Sequence, residues 1–215
     1  MYALTFVIEA PLASWGSRLS GTIRTSDALP THSALMGMIG AALGIPRKDD
    51  SLTQLAADYA CAVWVVSAGQ RMSDFHTVET PIETGFIYSR PRTREDELAG
   101  STTTTITRRE YMMDVRYVIA LVPVADKPNI TLAQVEEAIN MPVFTLCAGR
   151  RSCSLSSPVT PIRLSKDDFD HFLQLATVWD ARITSADQGH SIRQRTDMPL
   201  SASKRRFTVR DEVMR

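Results

Sequence analysis

"RREYMMDVRYVIALVP" (Arg108–Pro123) begins charged and ends apolar and β-branched. Val115, Tyr117, Val118, Ile119, Leu121 and Val122 fit a pleated, buried surface, so the stretch from about Asp114 to Val122 reads as a strand that brings the chain into a core. What precedes it reads differently. "TPIETGFIYSRPRTREDELAGSTTTTI" (Thr80–Ile106) has no hydrophobic period, and its middle mixes charges with Pro and Gly. The threonine run Thr102–Thr105 has β propensity. Together these features predict two strands projecting from the body and joined by a mobile tip that carries Arg90, Arg92 and Arg94 against Glu95, Asp96 and Glu97, an insertion spanning residues 77–108.

Outward on the N-terminal side, "CAVWVVSAG" (Cys61–Gly69) predicts a strand, Ser51–Tyr59 a short helix, and "PTHSALMGMIGAALGI" (Pro30–Ile45) a buried helix ending at Gly44. "YALTFVIEA" (Tyr2–Ala10) predicts a first strand that stops at Pro11, followed by a loop to Pro30. On the C-terminal side, "TLAQVEEAI" (Thr131–Ile139) is a helix with Thr131 as N-cap, and "PVFTL" (Pro142–Leu146) the strand after it. A tail helix (Asp167–Ala176), a polar loop and a last strand "RRFTVRDE" (Arg205–Glu212) complete the reading. The order β-α-β, insertion, β-α-β predicts an α+β fold: a ferredoxin-like, RNA-recognition-motif palm in a single domain, residues 1–215, with an inserted β-hairpin.

The net formal charge is zero, which excludes a polycation that coats nucleic acid by bulk electrostatics; an anion site has to be local. The basic residues are nevertheless 20 arginines against 4 lysines. Arginine's planar fork suits phosphates and bases, although a compositional bias of the genome would produce the same ratio. Three cysteines form no CxxC pair, and no secretory leader is evident, so a reducing cytoplasm is expected. The longest apolar run, Leu35–Ile45, is far short of the roughly 20 residues of a membrane span. No zinc spacing, Walker loop or nucleophile elbow occurs, so neither metal nor cofactor is expected.

The densest candidate site is "CAGRRSCSLSSP" (Cys147–Pro158), within an acid-free stretch from Ala138 to Lys166. Gly149 would let the backbone approach a ligand, Arg150 and Arg151 match phosphate oxygens, and Ser152 and Cys153 offer contacts to base edges. The plainer alternative is a surface loop whose arginines pair with acids elsewhere. At the root of the insertion, strand alternation puts Arg109 and Tyr111 on one face and Arg108 on the other, a cation beside a stacking platform unless Tyr111 is core. Trp15 is either a base-stacking residue or a hydrophobic plug. The start of the first helix presents Thr31, His32 and Ser33, where free N–H groups suit a phosphate unless Thr31 or Ser33 simply caps. Arg24 and Arg47 flank that helix as further phosphate contacts. In "DFHTV" (Asp74–Val78), His76 and Thr77 are contact candidates, and His76 is also a possible general base toward a ribose hydroxyl, with Tyr111 as partner.

The separated motifs "APLASWG" (Ala10–Gly16), "LPTHSALMGMIGAALGI" followed by Arg47, "DFHTV", "TRREYMMD" (Thr107–Asp114), "GRRSC" (Gly149–Cys153) and "FTVRDE" (Phe207–Glu212) together resemble the CasD family of the type I-E CRISPR surveillance complex, Cascade. Residues 79–104 and 165–204 lie outside the resemblance, and Ala10 and Ser154 stand where that family tends to have Gly and Pro. The resemblance implies a palm with a β-hairpin thumb and a non-catalytic, antiviral role in which the subunit holds the 5′ handle of the guide crRNA. It further implies a backbone subunit (CasC family) and the large subunit (CasA family) as partners, with target DNA contacted indirectly. Handle contacts would then include Trp15, Arg24, Ser33, Arg47, His76, Thr77, Arg108, Arg109, Tyr111, Arg150, Arg151, Ser152 and Cys153. The competing reading is a metal-independent endoribonuclease for repeat RNA, as in a related subtype of the same superfamily.

Overall fold

The computed structural model describes residues 2–20, 22–82, 93–98, 100–184 and 189–215. Its centre is the antiparallel ladder of β1 (Ala3–Ala13) and β6 (Thr102–Pro123), flanked by β7 (Ile162–Leu164) on β1 and β4 (Tyr59–Ser67) on β6. The sheet continues from β4 through β8 (Val178–Asp180) to β10 (Arg206–Met214) and the edge strand β9 (Ser191–Ser201). Alternation along β1 and β6 explains why both faces are covered. Leu4, Phe6, Ile8, Tyr117, Ile119 and Leu121 meet α1 (His32–Ala42), α2 (Ser51–Asp58) and α4 (Leu132–Asn140) in the main core. Ala3, Ala120 and Val122 face the other way, onto Phe169 and Phe172 of α5 (Lys166–Leu175) and Trp179 of β8.

The strand β6 is one continuous element that begins well before Asp114. Its first half pairs with β5 (Gln70–Pro81) from Gln70↔Met113 to Pro81↔Thr102, so the observed hairpin is rooted at Gln70 and Met113. Each arm reaches about 40 Å at roughly 3.3 Å per residue. A short helix α3 (Arg94–Leu98) lies between the arms. The tip arginines Arg90 and Arg92, and the mobility expected of that tip, fall outside the described residues.

Several expectations are corrected. β1 does not stop at Ala10: the β1–β6 ladder passes from Ala10↔Val115 to Leu12↔Met113, omitting Pro11, which has no N–H to donate. Asp114, on the strand opposite that step, adopts φ 54°, and its carbonyl accepts from the Ser67 hydroxyl at 2.9 Å. The loop expected before Pro30 is a hairpin, β2 (Trp15–Ser20) with β3 (Ile23–Asp27), and β3 adds to β6 beside Arg108 and Arg109. "PVFTL" is not a strand. The N–H groups of Val143 and Phe144 donate to the carbonyls of Ala42 and Ala41 at the C-terminal end of α1, the latter shared with the Gly44 N–H, and the strand that joins the sheet is β7, twenty residues further on. The polar tail loop contains β8 and β9, because the charges that made it look solvated are paired.

That pairing forms a buried clasp. Arg210 donates to both oxygens of Asp197, each at 3.0 Å, and also to Glu212. Arg195 reaches the carbonyls of Leu29 and Pro30 at 2.8 and 3.1 Å. The N–H of His32, at the first turn of α1, donates to Asp197 at 2.7 Å. Burial would raise Asp197, yet the Arg210 guanidinium holds it below the usual carboxylate range, and burial pushes His32 down to about 4.

Both shifts make acid destabilising. Between about pH 6.5 and about 4 the unfolded chain binds a proton on His32 that the folded one refuses, so stability falls with falling pH at up to ~1.4 kcal/mol per unit. Below about pH 4 the Asp197 contribution, fully present above its unfolded pKa, is lost as well. Denaturant titrations across this range are expected to show that slope, and His32→Gln to flatten it between pH 6.5 and 4. Arg210→Met, which strands buried carboxylates, is expected to cost about 3–5 kcal/mol at neutral pH.

Candidate nucleic-acid interface

Three strands form the floor of the site. β3 runs parallel to β6, with Arg24 in register with Arg109, and β5 lies on the other side, with Asp74 opposite Arg109, His76 opposite Thr107 and Met72 opposite Tyr111. Residues in register share a face. Arg24, Arg109, Asp74, Thr107, His76 and Tyr111 therefore lie on one side, while Arg108, Phe75, Thr77 and Ile106 lie on the other.

The loop from Cys147 to Ser154 closes over this face. It is held by the Cys147↔Ser154 bridge, by the Ala148 N–H on the Cys153 carbonyl at 2.8 Å and by the Cys153 N–H on the Arg150 carbonyl at 2.9 Å. Gly149 has φ 91°, and a Cβ there would stand 2.0 Å from the Ser14 carbonyl oxygen. Its glycine is thus demanded by close packing on the β1–β2 corner, not by approach of a ligand.

Arg150 is laid across the Tyr111 ring, with its guanidinium carbon 4.7 Å from the centroid, and its Nη2 donates to the Arg24 carbonyl at 3.3 Å. The loop, β6 and β3 are thereby joined through one side chain. Arg151 and Ser152 beside it are exposed. Glu110 on the opposite face is taken by Arg71, and Asp74 contacts His76. Among the described residues, no carboxylate pairs with Arg24, Arg109, Arg150 or Arg151. Arg109 Nε, Arg150 Nη1, Thr107 Oγ1 and His76 Nε2, all on this face, are closed off from solvent and have no hydrogen-bond partner in the protein. This face therefore concentrates positive charge and unused donors, the chemistry that receives an anion able to accept several hydrogen bonds.

Other candidates are placed elsewhere. Trp15 is 1% exposed and packs edge-on against Tyr117, so it is a core plug and presents no face to a base. Tyr111 is 7% exposed and supports Arg150, so it is a platform for a guanidinium and is not available to a base. The Cys153 side chain is buried at 1% and cannot meet a base edge. Burial raises the Cys147 and Cys153 thiols, leaving them protonated at neutral pH. The start of α1 is occupied by the protein's own groups: Thr31 Oγ1 accepts from Ala34 N–H at 3.1 Å, Asp197 takes His32 N–H, and the Ser33 hydroxyl lies 3.4 Å from that of Thr31. A carboxylate already meets the positive end of that helix, so no phosphate is needed there. Arg47 is exposed past the opposite end of α1 and makes no hydrogen bond or ion pair with the arginine face. Thr77 is in register with Ile106, on the face away from His76. Thr107 and Asp74 join the site through their i, i+2 spacing from Arg109 and His76, which in two strands puts them on the same face.

The opposite face has another character. Phe75, Ile106 and Ile23 are 56, 49 and 47% exposed, and Arg108 lies between Ile23 and Phe75 in the ladder. Among the described residues no helix is long and apolar enough to cross a membrane.

Comparison with known proteins identifies the family. Residues 3–212 match the family model described as CRISPR-associated protein (Cas_Cas5). The CRISPR system Cascade subunit CasD of Escherichia coli (strain K12) is 31% identical over 162 residues, 71% of this chain and 66% of that protein, so the match spans just under two thirds of the relative's length. Among solved structures, a chain of a CRISPR RNA-guided surveillance complex superposes with a TM-score of 0.68 at 22% identity, covering 99% of this chain and 89% of that one. A further structure, described as a Cas protein, gives 0.62 at 21% identity over 99% and 94% of the two chains. These two share the fold. With residues 3–212 of its 215 matched by the family model, this chain belongs to the Cas5 family of CRISPR-associated proteins.

Proposed function

We propose that this chain is the subunit of a type I-E surveillance complex that holds the 5′ handle of the crRNA, with Arg24, Arg109, Arg150 and Arg151 meeting handle phosphates. The observation that carries the reading is the gathering of unpaired guanidinium groups on one face, with Arg109 Nε and Arg150 Nη1 lacking any partner. In a protein of zero net charge such a local excess is a binding feature, since each unmet donor is a cost that a phosphate oxygen relieves. The strand order β7-β1-β6-β4, with α1 and α4 in the two crossovers, supports a ferredoxin-like palm of the RNA-recognition-motif kind, and the β5–β6 hairpin is read as its thumb. The apolar face around Phe75, Ile23 and Ile106 supports docking against a neighbouring subunit, read as the CasC-family backbone subunit, with the CasA-family large subunit elsewhere on the surface and target DNA reached only through the complex. Free, protonated thiols are in keeping with a cytoplasmic setting.

One contact favours a second reading. Asp74 lies against the His76 imidazole, the kind of neighbour a general base has, although His76 Nε2 makes no hydrogen bond within the protein. A proton-transfer partner is wanting, because Tyr111 is four residues away along the ladder, about 13 Å, and is covered by Arg150. The subunit is therefore read as non-catalytic. Repeat RNA incubated with the purified protein should remain intact, and site-specific cleavage lost in His76→Ala would reverse the assignment.

Arg109→Ala and Arg150→Ala are each expected to weaken handle-RNA binding and to reduce the slope of log affinity against log salt by about one unit, with a lysine replacement restoring the slope better than the affinity. An unchanged slope in the folded double variant would remove the arginine face from RNA binding. Phe75→Ser with Ile106→Ser should leave the melting temperature of the isolated chain unchanged within a few degrees while lowering its incorporation into the assembled complex. Normal incorporation would mean that this face meets solvent.

A further inference from the structure

We propose that Thr107 reads a ribose 2′-hydroxyl and so makes the arginine face selective for RNA over DNA; the inference rests on that face being the RNA site. Thr107 Oγ1 is closed off from solvent and has no hydrogen-bond partner. Its neighbours along the ladder do not use it: His76, directly opposite, lies against Asp74 but makes no hydrogen bond through Nε2, and Arg109, two residues on, has its own Nε unpaired. Valine would fill the same shape without an unmet hydroxyl, so this group adds nothing to the fold as it stands.

The chemistry of the empty partner can be narrowed. A phosphate oxygen only accepts, and the guanidinium groups beside Thr107 satisfy it better than a neutral hydroxyl does. A hydroxyl both donates and accepts, and the ribose 2′-OH does the same, so the two pair in either sense. Side chains two residues apart on one face of a strand are separated by about 6.7 Å, which sets Thr107 at the sugar that adjoins a phosphate gripped by Arg109. Arg109 and His76, the flanking side chains on this face, are only partly buried and can move aside for it.

The test uses the full chain, a single-stranded RNA of the repeat's handle sequence, its all-DNA counterpart, and a series of RNAs each carrying one 2′-deoxy nucleotide. The wild type is expected to bind RNA about tenfold more tightly than DNA, equivalent to ~1.4 kcal/mol, with one deoxy position accounting for most of the difference. In Thr107→Val the RNA affinity should fall toward the DNA value and that deoxy position should cease to matter, whereas Thr107→Ser should keep the preference. A preference for RNA that survives Thr107→Val, or equal loss of RNA and DNA binding in that variant, would overturn the assignment of Thr107 alone. Failure of the wild type to bind the RNA at all would overturn both this inference and the reading of the arginine face.

Discussion

The strand β6 belongs to two structures at once, and the rest of the molecule depends on that continuity. Its C-terminal half is the centre of the core sheet, between β1 and β4, while its N-terminal half is one arm of the hairpin, between β5 and β3. Because side chains alternate, the register fixed by core packing of Tyr117 and Ile119 is transmitted outward to Tyr111, Arg109 and Thr107. A slip of one residue would turn the arginine face over and expose the core. The step at Pro11 and Asp114 is where the two halves meet, and the left-handed Asp114 takes up the irregularity between them.

On that floor, charge is sorted by face. Glu110 and Asp74, the acids of the hairpin root, are each engaged, by Arg71 and His76, and the Cys147–Ser154 loop contributes no acid. Arg150 is stiffened by the Tyr111 ring beneath it and the Arg24 carbonyl beside it, so the donors it offers are pre-positioned and lose less freedom on meeting a ligand. The buried clasp of Arg210, Asp197, Arg195 and Glu212 shows the opposite arrangement. There every charge is matched inside the protein, and the result is adhesion of the β9–β10 hairpin to the start of α1. The contrast separates arginines whose charge is matched inside the protein from those, on the β3–β6–β5 face, that meet no carboxylate among the described residues.

Local signals were readable in the sequence where local physics decides. The Thr131 N-cap marks its helix start, the tail helix expected at Asp167 begins one residue earlier behind the Ser165–Asp168 capping box, and the insertion was visible as polar chain followed by a threonine run. Arg109 and Tyr111 sharing a face followed from alternation. Contacts across long sequence separations were not readable. His32 meets Asp197 across 165 residues, and neither position announces the other, so the sequence leaves open whether that helix start is capped or receives an anion. Trp15 and Cys153 have polar or flexible neighbours in sequence, but the β1–β2 corner and the Cys147–Ser154 loop fold onto each other and bury both. "PVFTL" has strand composition; hydrogen bonds to the C-terminal carbonyls of α1, distant in sequence, decide its conformation.

The central claim is that RNA lies on the face formed by β3, β6, β5 and the Cys147–Ser154 loop. Ultraviolet cross-linking of the assembled complex, followed by mass spectrometry of nucleotide-bearing peptides from this chain, tests it most directly. Cross-links are predicted on the peptides that contain Thr107–Tyr111 and Gly149–Ser152. Cross-links confined to the start of α1 or to the β9–β10 hairpin, with none on those two peptides, would contradict it.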